Sequence, residues 1–211
     1  MVITALVALV IICCAIPAFI RTNGRPAPLA DTRASKVSLA WRIHVGDVQY
    51  ISFAPGGQYV CAITEAGVMS VYSASGRKRY EVKTPGIDRV VLSPDASRAM
   101  GYSYLDSANP KLTFLNSKGR PFWNVTASVA VWSADVCPTE YGSRFAAGTG
   151  DGRVYVMDIG RRWRSYRWWR APGAVVSLNL DRAGEEVVLG TWQKSMILRC
   201  DIAGRKLWQT D

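Results

Sequence analysis

Apolar and polar residues alternate along most of the chain beyond residue 40, in short runs that end at sequences typical of tight turns. A period of two residues indicates β-strands, whose successive side chains point to opposite faces. In the run Val154–Met157 the residues on both faces are apolar, which is typical of a sheet covered on both sides. The pattern therefore predicts many short strands that form stacked sheets.

The turn sequences recur at a nearly constant interval. Four of them follow alternating runs, and their second residues are 39, 44 and 44 positions apart. These turns are Ala54–Gly57, Ser93–Ala96, Cys137–Glu140 and Asp181–Gly184. A Gly-Arg pair then follows each turn, at Gly76, Gly119, Gly160 and Gly204. Four-stranded units repeated at this interval are typical of propeller blades.

The repeat divides the chain into four units, at about residues 47–86, 87–129, 130–173 and 174–211. Strands of the first unit are predicted at Val48–Phe53, Gln58–Thr64, Val68–Ser73 and Arg79–Lys83. Those of the third unit are predicted at Ala130–Val136, Arg144–Gly148, Arg153–Asp158 and Tyr166–Arg170. The fold class is thus all-β, a propeller of about four four-stranded blades over residues 39–211. An extra strand at Leu39–Val45 either closes a small ring against the fourth unit, or the chain forms an open arc with exposed edges.

An apolar segment precedes the repeats. Val2–Ile20 holds 19 residues without a charge, enough for a helix of about 28 Å that crosses a bilayer. We therefore predict one transmembrane helix at residues 1–21, followed by a linker at residues 22–38 that is rich in Pro, Gly and Ala. A cleaved signal peptide is the alternative, although no Lys or Arg precedes the apolar run as such a peptide requires.

Charge and cysteine content bear on the cellular location. Basic residues follow the apolar segment, namely Arg21, Arg25, Arg33 and Lys36. Because positive flanks stay in the cytoplasm, they favour a single-pass protein of the cell membrane with its soluble domain on the cytoplasmic side. The other cysteines, Cys61, Cys137 and Cys200, are odd in number and scattered, which fits a reducing compartment better than a disulfide framework.

The motifs predict no catalytic, cofactor-binding or metal site. His44 is the only histidine, and no candidate nucleophile comes with a recognisable base. The sequence AGTGDG at residues 147–152 is similar to a phosphate-binding glycine loop, but such a loop must open a helix, and here a strand follows. We interpret it as a hairpin turn in which Asp151 and Gly152 have positive φ angles.

The sequences FAAGTGDGRVYVMDIG and YRWWRAPGAVVSLNLDRAGEEVVLGTW together resemble the blades of quinoprotein-like (PQQ-like) propellers of bacteria and archaea. The resemblance covers about Leu39 to Asp211. WD40 repeats are similar too, but the chain lacks their Gly-His and Trp-Asp pairs. The resemblance implies a propeller that serves mainly as a scaffold. Some quinoprotein dehydrogenases carry adjacent cysteines near the cofactor; here the only such pair, Cys13-Cys14, lies in the apolar segment, so no bound PQQ is expected.

The sequence GRRWRSYRWWRAPG at residues 160–173 departs from the repeat. In the other units the turn glycine precedes an aromatic residue by four positions, whereas Gly160 precedes Trp168 by eight. The spacing predicts that Trp168 holds the buried packing position and that the surplus residues project. Arginines interleaved with aromatic residues suit an acidic protein face, a lipid interface or nucleic-acid bases. The predicted partner-binding residues are Arg161, Arg162, Trp163, Arg164, Arg167, Trp169 and Arg170.

Three functions are compatible with these features. The first is a non-enzymatic, membrane-anchored scaffold or accessory subunit of a membrane-associated protein assembly, with self-association as an option. The second is a quinoprotein-type oxidoreductase, which needs calcium ligands and a base. The third is binding of anionic lipid or nucleic acid by a basic face, since the chain carries a formal charge of +10. The anchor favours a protein or membrane partner over nucleic acid.

Overall fold

The computed structural model describes residues 41–104, 108 and 110–210. These residues form sixteen strands and no helix. The strands make four antiparallel sheets of four strands each, and in every sheet neighbouring strands are consecutive in the chain. This confirms the predicted all-β fold with repeated four-stranded sheets, which is compatible with a propeller. All sixteen strands belong to a compact unit at residues 45–211.

The strand bounds follow the repeat closely. The first sheet contains β1 (Val48–Phe53), β2 (Tyr59–Thr64), β3 (Val68–Ser73) and β4 (Lys78–Lys83). The second sheet contains β5 (Arg89–Leu92), β6 (Arg98–Tyr102), β7 (Lys111–Asn116) and β8 (Pro121–Thr126). The third sheet contains β9 (Val131–Thr139), β10 (Gly142–Thr149), β11 (Arg153–Gly160) and β12 (Arg164–Arg170). The fourth sheet contains β13 (Val175–Leu180), β14 (Glu186–Thr191), β15 (Ile197–Asp201) and β16 (Lys206–Thr210).

The third sheet is longer than predicted. The predicted turn at Cys137–Glu140 is wrong, because β9 continues to Thr139 and Pro138 pairs with Ser143 of β10. Proline lacks the N–H that a central strand must donate, but β9 is an edge strand of its sheet, where proline is tolerated. The turn therefore lies two residues later, around Tyr141.

Three apolar cores hold consecutive sheets together. Cys61, Met69 and Val71 of the first sheet pack on the second sheet. Met100, Leu112 and Phe114 of the second sheet pack on the third sheet, where they meet Phe145 and Met157. The third core joins the third and fourth sheets through the set Ala146, Val154, Val156, Val175, Val187, Leu189 and Leu198. Each buried face removes several large apolar side chains from water, and this burial is the main force for stacking.

One face of the fourth sheet is not covered by any other sheet of the described residues. Val187 of β14 points to the third sheet and is 0% exposed, whereas its neighbour Val188 points away and is 39% exposed. Ile197 and Trp208 share the outward face and are about half exposed. Arg199 of β15 lies between them, where the corresponding strand of each of the other sheets carries a fully buried apolar residue: Val71, Phe114 and Val156.

Several predictions concern residues near the N-terminus. The predicted transmembrane helix at Val2–Ile20 and the linker at residues 22–38 lie outside the described residues. Within the described part of the chain, no helix is long and apolar enough to cross a bilayer. The predicted strand at Leu39–Val45 is wrong for its described part, because Trp41–Val45 adopt no strand.

The three cysteines of the described residues form no disulfide bond. Cys61, Cys137 and Cys200 are free and buried. Burial raises the pKa of Cys137 to about 11, although the nearby Arg144 charge opposes the shift. Since the thiolate is the reactive form, Cys137 is a poor nucleophile in the folded protein.

The adjacent valines of β14 test which face of the fourth sheet is covered. We expect Val187→Ala to lower the free energy of unfolding by about 2 kcal/mol, because it removes two buried methyl groups and leaves a cavity. Val188→Ala, the matched control, should change it by less than about 0.5 kcal/mol. Urea unfolding of both variants measures this difference. Equal losses would show that a further sheet or partner covers Val188.

Candidate functional site

The basic sequence at residues 160–173 lies on the long hairpin formed by β11 and β12. In the other three sheets a β-bulge interrupts pairing beside the outermost strand, just past Val71, Phe114 and Arg199. Bulges twist a strand pair and end its pairing. The β11–β12 pair has no such shift and continues to the pair Ile159–Arg164. The hairpin therefore extends beyond the ends of its neighbours.

The register corrects the predicted role of Trp168. The position of Tyr80, Trp123 and Trp208 is defined by the partner strand, since these residues pair with Val71, Phe114 and Arg199. The equivalent partner in the third sheet, Val156, pairs with Arg167. Trp168 points to the opposite face and is 51% exposed. The insertion thus has two residues rather than four, and Trp168 does not hold the buried packing position.

The neighbouring Trp169 takes the packing role. It pairs with Val154 and packs against the core between the third and fourth sheets. Its ring lies directly over the turn at Gly204, where a β-carbon added to that glycine would come 2.5 Å from the ring. Trp168 instead lies beside the Arg153 guanidinium, 4.6 Å from the ring centre, in a cation–π contact.

Two arginines of the hairpin lie beside carboxylates of the same sheet. The Arg167 guanidinium lies 3.8 Å from a carboxylate oxygen of Asp158, which also binds Arg144. The Arg170 guanidinium lies 3.8 Å from Asp151. Arg167 and Arg170 therefore interact with carboxylates of their own sheet. Their predicted role in partner binding stays a prediction.

Asp151 organises the AGTGDG hairpin turn between β10 and β11. Its carboxylate accepts hydrogen bonds from the Thr149 and Ser128 hydroxyls, at 2.6 and 2.8 Å. Partial burial acts to raise the pKa of Asp151, but these hydrogen bonds and the Arg153 charge outweigh it, so the pKa lies below its usual value. The hairpin interpretation is confirmed, although only Gly152 has a positive φ, of 87°.

The first half of the hairpin lines an open cleft of about 380 Å³ between the second and third sheets. We call it the arginine cleft. Its walls come from β6, β8 and the end of the β11–β12 hairpin, through the residues Arg98, Phe122, Ile159, Gly160, Arg161, Arg162, Trp163 and Arg164. The cleft exists because the longer third sheet extends past the second one.

Aromatic packing fixes the walls of the cleft. The buried Phe114 and Phe145 and the partly buried Trp123 form a cluster, with ring centres 4.9 Å apart for Phe114–Trp123 and 5.4 Å for Phe114–Phe145. The Arg164 guanidinium lies 5.9 Å from the Trp123 ring centre and donates a 2.9 Å hydrogen bond to the Phe122 carbonyl oxygen. This bond ties the projecting hairpin to β8.

Trp163 forms the outer wall of the cleft. It follows the two-residue turn at Arg161 and Arg162, which the hydrogen bond from the Gly160 amide to the Trp163 carbonyl closes at 2.9 Å. The Trp163 ring lies flat on Gly160, since an added β-carbon there would come 2.5 Å from the indole nitrogen. The ring is still 49% exposed, so an aromatic face remains open to a ligand or partner.

The arginines of the cleft are not neutralised. None of Arg98, Arg161, Arg162 and Arg164 lies within 4.0 Å of a carboxylate in the described part of the chain. No acidic side chain lines the cleft. With four arginines and no lining carboxylate, the cleft is a positively charged concave surface that favours an anionic group.

The structure brings four of the predicted binding residues together and separates the other three. Arg161, Arg162, Trp163 and Arg164 line the arginine cleft, whereas Arg167, Trp169 and Arg170 have internal contacts. Arg98 and Phe122 of the second sheet were missed. Both are far from the hairpin in sequence, and Arg98 follows an ordinary turn. The local sequence therefore gave no indication that either residue belongs to the site.

The register correction can be tested with two adjacent tryptophans. We expect Trp169→Ala to lower the free energy of unfolding by about 3 kcal/mol, because the ring fills the space between two sheets. Trp168→Ala should cost about 1 kcal/mol, the value of an exposed cation–π contact with some packing. Thermal melts of both variants measure the difference. A larger loss for Trp168→Ala would contradict the pairing of Val154 with Trp169.

The lowered pKa of Asp151 predicts a pH-dependent contribution to stability. A carboxyl group whose folded pKa is depressed stabilises the fold above its unfolded pKa of about 4, and the contribution is lost as pH falls through the folded value. Asp151→Asn should therefore be less stable than the wild type at pH 7, with a gap that narrows below about pH 4. Urea unfolding of the wild type and the variant at pH 7 and pH 3 measures this difference in stability. A difference that does not change with pH would contradict the lowered pKa of Asp151.

No known protein family matches the sequence, and no curated protein is significantly similar to it. The evidence for a propeller-like architecture is therefore the four observed sheets. The chemistry of the arginine cleft is inferred from its own residues.

Proposed function

We propose that this protein is a non-enzymatic, membrane-anchored propeller that acts as an interaction scaffold or accessory subunit in a membrane-associated assembly. The observation that carries the proposal is the projecting end of the third sheet, where three arginines without a carboxylate partner, Arg161, Arg162 and Arg164, accompany the half-exposed Trp163. Exposed tryptophan and arginine are the residues most often enriched where proteins bind partners strongly. The apolar run Val2–Ile20 supports the membrane location.

The contacts that hold the hairpin in place support a binding role as well. The hairpin rests on the Phe114–Trp123–Phe145 cluster and is tied to β8 by Arg164. A surface already held in place loses little conformational freedom on association. The finer resemblance to quinoprotein-like repeats fits this proposal, because such propellers serve mainly as scaffolds.

A crosslinking experiment tests the proposal in native membranes. In this experiment a photo-reactive residue replaces Tyr141 in the full chain. Tyr141 lies in the exposed turn between β9 and β10 of the same sheet and does not line the cleft. We expect one defined crosslinked partner, and at least tenfold less of it in the variant Arg161→Gln/Arg162→Gln, because an anionic partner loses two charged contacts. The protein should also stay in membranes after a carbonate wash, since apolar insertion does not depend on charge.

The matched control is Arg77→Gln/Arg182→Gln, which removes the same charge from exposed turns of the first and fourth sheets. It should leave the crosslink unchanged. Equal loss in both double variants would mean that only net charge matters, and unchanged crosslinking in both would exclude the hairpin as the binding surface. Thermal melts of both variants check that the fold is retained.

A further inference from the structure

The arginine cleft has the features of a site for one particular class of anion. Its four guanidinium groups come from two different sheets, Arg98 from β6 and the others from the β11–β12 hairpin. These four arginines line a space of about 380 Å³, which lies in the range of small-molecule sites. The end of an extended anionic group fits a space of this size.

Two of the arginines, Arg98 and Arg164, are also oriented by aromatic contacts. The Arg98 guanidinium lies 5.4 Å from the Phe122 ring centre, and Arg164 lies beside Trp123. Aromatic contacts of this kind restrict the guanidinium group and leave N–H groups at its edge available for forked hydrogen bonds. Arg164 uses one of its N–H groups for the Phe122 carbonyl oxygen, and the remainder are free to donate.

The amount of charge distinguishes between anions. One carboxylate would balance a single arginine and leave three cationic groups confined together. Two linked phosphates carry several negative charges and many acceptor oxygens within the same volume, and arginine forks match phosphate geometry. We infer that the arginine cleft binds a ligand with clustered phosphates, such as a pyrophosphate or bisphosphate group, with Arg98, Arg161, Arg162 and Arg164 as the anion ligands and Phe122 and Trp163 as the walls.

This inference rests on the proposed function, because it names the chemistry bound at the same basic hairpin. The phosphates can come from a soluble metabolite or from a lipid headgroup, and both present the same groups to the cleft. For a protein held at a membrane, a phosphorylated headgroup would lie close to the anchor. The experiment therefore uses a soluble probe and a lipid probe separately.

The test is calorimetric titration of the detergent-solubilised full chain. The probes are inorganic pyrophosphate and a short-chain phosphatidylinositol bisphosphate, with citrate as a carboxylate of comparable charge. We expect at least one phosphate probe to bind at least tenfold more tightly than citrate. Arg98→Gln should weaken this binding at least tenfold, although Arg98 lies outside the basic sequence. The control Arg77→Gln/Arg182→Gln should weaken it no more than twofold.

The outcomes separate the possibilities. If the lipid probe binds more tightly than pyrophosphate, the ligand is a lipid headgroup. If pyrophosphate binds more tightly than the lipid probe, the ligand is a soluble phosphate compound. No binding of either probe, citrate binding of equal strength, or equal weakening in the control overturns the inference. If Arg98→Gln does not fold, Arg161→Gln/Arg162→Gln takes its place in the same comparison.

The crosslinking and titration experiments distinguish failure of the proposed function from failure of this inference. A crosslinked partner without phosphate binding would support the scaffold function and contradict the phosphate site. Phosphate binding without a crosslinked partner would support the phosphate site and contradict the scaffold function.

Discussion

The stacking of one sheet on the next is the interaction on which the rest of this protein depends. Each sheet has only four short strands, and an isolated sheet of this size would expose both apolar faces to water. Strand pairing within a sheet aligns the side chains, but burial between sheets supplies the free energy. The Phe114–Trp123–Phe145 cluster joins the second and third sheets. It also supports the arginine cleft, which forms where the seven- to nine-residue strands of the third sheet extend past the four- to six-residue strands of the second.

Much of the architecture could be predicted from the sequence because the turns repeat. The interval between Pro55 and Pro94 and the alternation in between were enough to place β2 and β3 to within one residue. The strand register was harder, because one bulge shifts every following side chain to the other face. The absence of a bulge beside Val156 placed Arg167, rather than Trp168, in the aromatic position. A sequence pattern alone does not show whether a bulge is present.

The arginine cleft could be predicted only in part for a different reason. Arg161–Arg164 are adjacent in the chain and stand out by composition, whereas Arg98 and Phe122 join them only through stacking between sheets. Nor does composition show which arginines are already paired. Arg167 and Arg170 have the same sequence surroundings as the arginines of the cleft, and only the positions of Asp158 and Asp151 distinguish them.

The charged residue on the outer face of the fourth sheet has a consequence for assembly. A repeat whose faces are mutually complementary can in principle add copies head to tail without limit and grow into fibres. Arg199 stands where the preceding sheets place Val71, Phe114 and Val156, and it forms an ion pair with Glu186 on the same face. Burying this pair under another apolar sheet would cost its hydration. The Arg199–Glu186 pair therefore disfavours the addition of a further apolar sheet at this face.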